Sequence, residues 1–541
     1  MIPFSAPVDD ILFTLEHVAQ AGRMPHWDAD LARDVIVQFA RFAEGEIAPA
    51  DEAADRDGCR LENGRVRMPA GLVAAYRRFA EQGWPALSLP EEAGGQAMSS
   101  ALAGATTEIL AGASHAFQMV VGLVPGAART ISLYGSDEQK ARWLPRLASG
   151  DWLATMALTE PGAGSDLSGL RTRAERKAGH WRIAGEKIFI SGGDQNLTSR
   201  ILHLVLARSG EAAGGTRGLS LFLVPSHDEL GRAQPVSVTR IEEKMGLHAS
   251  PTCQMLFDHA PAELLGPEGD GLKAMFTMMN HARLDVALQG VAHAARASHI
   301  ARAYAATRRQ GRVGGAPAML EAHPDVQRML DDADALAIGG RALTYRVLVE
   351  LELSERPGLV DILTPVCKFA CTEAGVAAAN LAIQVMGGYG YLREYRVEQA
   401  LRDARITTIY EGANGIHALA LATRLLKQAD GAAARAFAEF LDPLPETRAI
   451  WETACKRMQA APDPARAAHA FMLLTIEAAM AAVWQRLNEV AELAPDPARL
   501  THLCARQTAL HPIRLRHQAD LVALALAGTP QQGSACRLRR R

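Results

Sequence analysis

The sequence predicts a mostly α-helical protein built around a β domain in its middle. Three observations predict it. Residues 1–150, and again 270–430, carry apolar side chains at three- and four-residue spacing, the period of helices that bury one face. Residues 151–269 instead hold short β-type runs separated by Gly and Ser. Residues 431–541 return to an Ala-rich helical pattern, with a Pro-marked joint at LDPLP preceding most of it.

In the first region DADLARDVIVQFARFAEGEI and AGLVAAYRRFAEQG read as helices, divided by loops such as LSLPEEAGG. YGSDEQKARWLPRLASG reads as a short capped helix with Ser136 at its N-cap. In the middle, HWRIAGEKIFIS, ILHLVLARS, GLSLFLVPS and PVSVTRIE suit a small antiparallel barrel or sandwich. One long apolar-striped helix follows, from Gly271 to Arg309, and three more are expected in HPDVQRMLDDADALAIGGRALTYRVLVELEL, DILTPVCKFACTEAGVAAANLAIQVMGG and NGIHALALATRLLKQ. Four helices with short joints make a four-helix bundle. The expected domains are therefore helical 1–150, a β-barrel 151–269, a bundle 270–430 and an additional helical domain 431–541 that ends in a frayed tail, CRLRRR.

Composition narrows the function. A chain of 541 residues is well past the roughly 250–300 at which one core stops growing. The formal charge of −3, from 57 basic and 60 acidic side chains, argues against a nucleic-acid binder. No stretch reaches the ~18–20 uninterrupted apolar residues of a membrane span, and the acidic start MIPFSAPVDDILFTLEH does not resemble a secretory signal. Seven cysteines without a CxxC pair point to neither a zinc ribbon nor a disulfide framework, and to a reducing cytosol. Cys367 and Cys371, four apart, read as core packing on one helix face. The histidines show no HExxH or paired ExxH pattern, so no metal centre is expected.

Four segments could carry chemistry. Met156–Asp166 is a short strand running into a turn with Gly162 and Gly164, where Ser165 and backbone N–H groups could hold an anion such as a pyrophosphate; a plain tight turn reads equally well. In Lys187–Gly193, Phe189 could stack on a flat ring and Ser191 bond its edge, or the Phe could be ordinary barrel core. Gln384–Tyr391 packs Gly387, Gly388 and Gly390 between two helices, more glycine than a helix-to-helix turn requires. In Arg402–Gly412 the carboxylate of Glu411 follows the apolar run ITTIY. Such flanks favour a raised pKa and a general base; a Glu at a helix N-terminus is the competing reading.

These four segments, in this order and spacing, resemble the acyl-CoA dehydrogenase family over roughly residues 50–430. KIFISGGDQNLTSRILHLVLARSGEAAGGTRGLSLFLVPS, IEEKMGLHASPTCQMLFD and the opening PFSAPVDDILFTLEH are similar to the branch with an extra C-terminal helical domain, which includes 3-methylmercaptopropionyl-CoA dehydrogenases. The resemblance implies FAD-dependent oxidation of an acyl-CoA thioester to the trans-2-enoyl-CoA. The base of a Tyr-Glu-Gly motif, here Glu411, removes the α-proton while the β-hydride goes to flavin N5. The alternative base position on the long helix is Ala282 here, beside Arg283, which leaves Glu411 as the base. The thioester oxygen would accept from the backbone N–H of Glu411 and from a ribityl hydroxyl, an oxyanion hole worth roughly 3–4 kcal/mol per donor.

By the same resemblance Met156, Leu158 and Thr159 line the flavin, Gly164 and Ser165 lie near the pyrophosphate or CoA, and Phe189 and Ser191 meet the isoalloxazine. Asn280, Arg283 and Gly412 belong to the substrate side, with Ser165 shared. Arg308, Gln384 and Gly388 resemble residues that reach the FAD of a neighbouring subunit, which implies a homodimer or a dimer of dimers. Electron-transferring flavoprotein is the implied electron acceptor.

The chain departs from the family pattern in two places. Gly311 stands where a Phe often follows the Arg308 position, and Ala413 lacks the hydroxyl that often meets the FAD phosphates. His281 and His417 could shape the pocket or only pack. Two alternatives share the fold: an acyl-CoA oxidase, which reoxidises flavin with oxygen, and a flavoprotein associated with DNA repair. The second would need a basic groove in 431–541, and that region mixes charge signs.

Overall fold

The computed structural model describes residues 2–210 and 212–527; the expected tail CRLRRR lies outside the described residues. By contact density the chain forms two units. One joins Met1–Leu353 to Ala370–Gly412, and the other joins Ser354–Phe369 to the chain from Ala413 on.

In the first unit the early helices start where side chains satisfy the exposed N–H groups. Ala29–Phe42 (α1) is capped by Asp28, whose carboxylate accepts from Asp30 and Leu31 N–H at 3.0 Å each. Ser99 caps Ser100–Val121 (α2), and Leu123–Tyr134 (α3) follows. Asp137–Ala148 (α4) opens with a full capping box in which Ser136 and Gln139 bond each other's backbone N–H, at the N-cap read from the sequence.

The β region follows as Trp152–Ala157 (β1), Arg173–Lys177 (β2), His180–Ser191 (β3), Arg200–Arg208 (β4), Leu219–Pro225 (β5), Val236–Ile241 (β6) and Thr252–Leu265 (β7). Strands β4, β5, β7, β3 and β2 close into a ring, with β1 added along β4 and β6 along β7. The region is thus a barrel, and it is not wholly antiparallel. β1 runs parallel to β4, with Trp152 opposite Arg200 and Ala157 opposite Val205, because the chain returns to β4 only after making β2 and β3. Ile183, Val205, Phe222, Val224, Cys253 and Phe257 fill the interior. A hairpin of Arg60–Glu62 and Arg65–Arg67 is held to the barrel by Asp194, which accepts from Val66 N–H at 2.7 Å and pairs with Arg65 Nε at 2.9 Å.

The helical period then returns as Gly271–Thr307 (α5), Pro324–Leu353 (α6), Pro357–Met386 (α7) and Val397–Arg405 (α8). Thirty-seven residues make α5 about 55 Å long. Its C-terminal half packs on the neighbouring helices through Ala297, Ile300, Ala301 and Ala305 against Leu330, Ala382 and Val385. The last expected helix of this region is shorter than its pattern: Asn414–Ala420 is regular, and Leu421–Leu425 winds more loosely.

The second unit packs Pro445–Ala460 (α9), Ala468–Glu489 (α10) and Pro497–Ala527 (α11) together, with Trp451 of α9 buried. Its ring lies 4.7 Å from that of Phe437 and 6.0 Å from that of Phe471, and its Nε1–H donates to Thr475 Oγ1 at 3.1 Å. Two stretches, Pro357–Tyr391 and Pro464–Glu489, are apolar enough to cross a membrane by length and composition. Of their most apolar windows, 61% and 56% are buried inside the protein, as in core helices.

A fully buried ion pair ties α2 to α6. Arg341 Nη2 meets Glu108 Oε1 at 2.7 Å, and Tyr345 donates to Glu108 Oε2 at 3.0 Å. Removing one member strands the other charge in the core, at a cost of about 3–5 kcal/mol. Glu108→Ala is therefore expected to lower the urea midpoint severely, and adding Arg341→Met to recover part of the loss. Equal midpoints for wild type and Glu108→Ala would contradict this.

Candidate active site

The residues singled out in the sequence fall into three groups. The first sits at one end of the barrel. Lys187 on β3 is fully buried, and its Nζ donates to Leu158 O and to Glu160 Oε1, both at 2.8 Å. Ile188 N–H donates to Thr159 O at 2.8 Å. These bonds lay Met156–Glu160 along Lys187–Ser191. Glu160 also accepts from the N–H groups of Arg171 and Thr172, at 2.6 and 3.0 Å. Burial pushes Lys187 down to about 8, against the pull of Glu160. Burial acts to raise the Glu160 carboxyl, but Lys187 and these donors outweigh it and hold it below its ordinary value.

Beside this pair β3 is bulged. Its register on β7 shifts between Lys187 and Ile190, and Phe189 takes φ +59°, with its ring 60% exposed instead of in the core. Thr159 and Ser191 are half-buried next to it, and the turn at Gly162, Gly164 and Ser165 is open to solvent. A Cβ placed on Gly162 would meet nothing within 4 Å. An outward aromatic face, two hydroxyls and an open glycine turn are a donor set that suits a flat ring carrying a phosphate tail.

The second group surrounds Glu411. Tyr410, Glu411 and Gly412 form a tight turn in which Glu411 has φ +52° and Gly412 φ +94°. A left-handed residue other than glycine costs of order 1–3 kcal/mol and persists only where its surroundings hold it. The hold comes from Tyr410, whose hydroxyl donates to Gln289 Oε1 on α5 and lies 3.1 Å from His115 Nε2 on α2. One turn earlier on the same face of α5, Asp285 is pushed up to about 7 by burial, opposed by Arg129 and reinforced by Glu411. Asn280 and Arg283 lie on this part of α5, where Arg283 Nη1 donates to Asn280 Oδ1 at 2.9 Å. His281 is drawn down to about 4, chiefly by burial and then by Arg129, and its Nδ1 is 3.4 Å from Thr277 O.

The first two groups meet at α2. Gly192, which follows Ser191, has φ +62°, and a Cβ there would stand 3.3 Å from Val120 Cγ1. Two residues earlier, Gln118 accepts from Gln289 Nε2 at 2.8 Å. Gln118 also lines an apolar cavity of about 70 Å³ between Phe79, Trp84, Leu110, Val121 and Val124. Phe117 turns away and is buried against Phe79 and Tyr76.

The third group is Arg308, Gln384 and Gly388, all exposed. The Arg308 guanidinium lies 5.3 Å from the ring centroid of Tyr389, which joins that arginine to the glycine-rich turn. His417 belongs to the second unit, where it is buried.

Family models for the acyl-CoA dehydrogenase N-terminal, middle and C-terminal domains match residues 31–151, 155–260 and 269–426. A 3-methylmercaptopropionyl-CoA dehydrogenase from Ruegeria pomeroyi is 41% identical over 81% of this chain and 79% of its own length. The chain belongs to the acyl-CoA dehydrogenase family. A broad-specificity linear acyl-CoA dehydrogenase, FadE5, from Mycobacterium tuberculosis is 35% identical over 73% of this chain and 70% of its own. An acyl-CoA dehydrogenase complexed with FAD from Bacillus anthracis shares the fold, with a TM-score of 0.76 over 96% of this chain and 92% of that one, at 22% identity. This acyl-CoA dehydrogenase is an FAD-dependent oxidoreductase.

Sequence reading missed the groups that hold these residues in place. Glu160 and Lys187 stood inside the quoted segments but carried no role there. Asp285, Gln289 and His293 recur every fourth residue on α5, a polar line hidden in a helix read as apolar. That spacing was the available signal.

Because Phe189 projects from the barrel, Phe189→Ala leaves the core intact and removes only the outward ring. Purified Phe189→Ala protein is expected to carry less FAD per chain after gel filtration than wild type, with an unchanged circular dichroism spectrum. Full FAD retention would remove Phe189 from the flavin site.

Proposed function

We propose that this acyl-CoA dehydrogenase oxidises an acyl-CoA with an alkyl or thioether chain to its trans-2-enoyl-CoA with Glu411 as the base. The reading is carried by the Tyr410–Gly412 turn. It presents a carboxylate from a strained, braced backbone, with Oε2 buried, beside a helix that bears Asn280 and Arg283. The cavity next to Gln118 is walled mainly by Phe79, Trp84, Leu110, Val121 and Val124, which suits an alkyl or thioether chain. The Ruegeria relative is named for a thioether acyl group.

FAD, when bound, supplies the hydride acceptor. Met156, Leu158, Thr159, Phe189 and Ser191 would hold its ring, and Gly164 and Ser165 its phosphates. Arg308, Gln384 and Gly388 would reach the FAD of a second copy in a homodimer or a dimer of dimers. The chain's own part in the reaction is to orient and to accept a proton. Glu411 takes the α-proton of the thioester, and its backbone N–H donates to the thioester oxygen as charge develops there. Arg283 and Asn280 meet the CoA. Apolar walls exclude water and strengthen these interactions. Electron-transferring flavoprotein is the proposed physiological acceptor.

Glu411→Gln keeps the shape and loses the base. It is expected to bind FAD normally and to lose turnover by 10³-fold or more, roughly the upper part of the range for general base catalysis. Retained turnover with butyryl-CoA and 3-methylmercaptopropionyl-CoA would overturn the assignment. Wild-type enzyme should form enoyl-CoA with ferrocenium at the same rate with and without oxygen; peroxide formed at that rate would make it an oxidase.

Asp285 gives a pH test. Burial holds it up to about 7, with Arg129 opposing and the charge on Glu411 raising it further, and His281 is neutral beside it. Asp285→Asn removes this titration and leaves a neutral side chain of the same shape. The wild-type kcat/KM profile is expected to show a step near pH 7 that is lost in Asp285→Asn. A step that persists in the variant would separate Asp285 from the site.

A further inference from the structure

Behind Glu411 runs a buried chain of side chains that sequence reading gave no role. His293 Nε2 lies 2.8 Å from His115 Nδ1, and His115 Nε2 lies 3.1 Å from the Tyr410 hydroxyl. Tyr410 donates to Gln289 Oε1, and Gln289 Nε2 donates to Gln118 Oε1 at 2.8 Å. His115, His293, Gln289 and Gln118 are each 5% exposed or less.

The direction of the bonds follows from their chemistry. Tyr410 spends its one proton on Gln289, so its oxygen accepts from His115 Nε2–H. A neutral His115 then has a bare Nδ1, which accepts from His293 Nε2–H. Burial pulls both imidazoles down, His293 to about 4, and His293 further disfavours charge on His115, so both are neutral at physiological pH. Four donors therefore point one way along five side chains.

Local structure aims the first link. α2 breaks at Ser114 (φ −157°, ψ 100°) and restarts with Ser114 Oγ accepting from Phe117 N–H at 3.2 Å, so Ser114 acts as an internal N-cap. Asp51 fixes the Ser114 hydroxyl from the other side. His115, the first residue after the break, reaches Tyr410 across the chain.

We propose that His115, backed by His293, is the positioning residue of this enzyme's base: by donating to the Tyr410 hydroxyl it holds the left-handed Tyr410–Glu411 turn in its reactive conformation. The inference rests on Glu411 being the base. The effect belongs in kcat, because the turn, and not the CoA or FAD contacts, is what loosens when the bond is lost.

The test uses the FAD-loaded enzyme with ferrocenium and whichever of butyryl-CoA and 3-methylmercaptopropionyl-CoA gives the higher wild-type kcat. Tyr410→Phe and His115→Leu are each expected to lower kcat by about 10- to 100-fold, with KM and FAD content within about twofold of wild type. His115→Gln, whose amide N–H can reach the same oxygen, should restore most of kcat. The double variant His115→Leu/Tyr410→Phe should be no slower than Tyr410→Phe alone. Losses that multiply in the double variant, a change confined to KM, or wild-type kcat in Tyr410→Phe would each overturn the proposal. The Glu411→Gln result separates the two readings. An inert Glu411→Gln beside a fully active Tyr410→Phe sinks the positioning role alone, and an active Glu411→Gln sinks the base.

Discussion

The barrel end depends on one buried ion pair, Lys187 with Glu160. Two charges removed from water are costly, and an ion pair in a protein core stabilises only when every remaining lone pair and proton is satisfied. Here Lys187 adds the Leu158 carbonyl to its carboxylate partner, and Glu160 adds the backbone N–H groups of Arg171 and Thr172. Three chain segments are thereby fastened at one point. The loop from Met156 to Glu160 cannot move without exposing a charge, so Thr159, Phe189 and Ser191 keep their mutual placement. The arrangement supplies order at the surface of the barrel, where apolar packing alone would leave a glycine-rich loop poorly fixed.

Left-handed backbone is used in the first two groups of the candidate site. Phe189 and Glu411 both sit in the left-handed region, which bulky side chains avoid. Each is braced by its neighbours: Phe189 stands between Ile188, whose N–H bonds Thr159 O, and the bulge at Ile190, and Glu411 follows Tyr410, whose hydroxyl bonds Gln289. In each case a side chain is turned away from the direction that the regular backbone would give it. The free energy stored in two such residues is small beside the stability of a chain this size, yet it is lost at once if the anchor is removed.

Much of this was legible in the sequence because it is local. The N-cap at Ser136 and the long helix beginning at Gly271 lie in contiguous residues whose spacing states their structure. The segments at 156–166 and 187–193 could be singled out for the same reason. The parallel pairing of β1 with β4 could not, since it depends on how β2 and β3 are threaded between them. The bond between His115 and His293 joins residues 178 apart, and nothing in the Ala-rich context of either marks its partner. Asp285 is the intermediate case. Its period with Gln289 and His293 was visible, but only the structure shows that the line faces Tyr410 and Arg129 and not the solvent.

The close approach of Gly192 to Val120 has a further consequence. With no side chain at Gly192, β3 comes close to α2, and Gln118 stands two residues from that contact on the wall of the cavity lined by Phe79, Trp84 and Leu110. A group too bulky for that cavity would press α2 outward against the strand end that carries Ser191. Crowding on the far side of α2 would therefore be felt at Ser191 and, along the same strand, at the outward ring of Phe189.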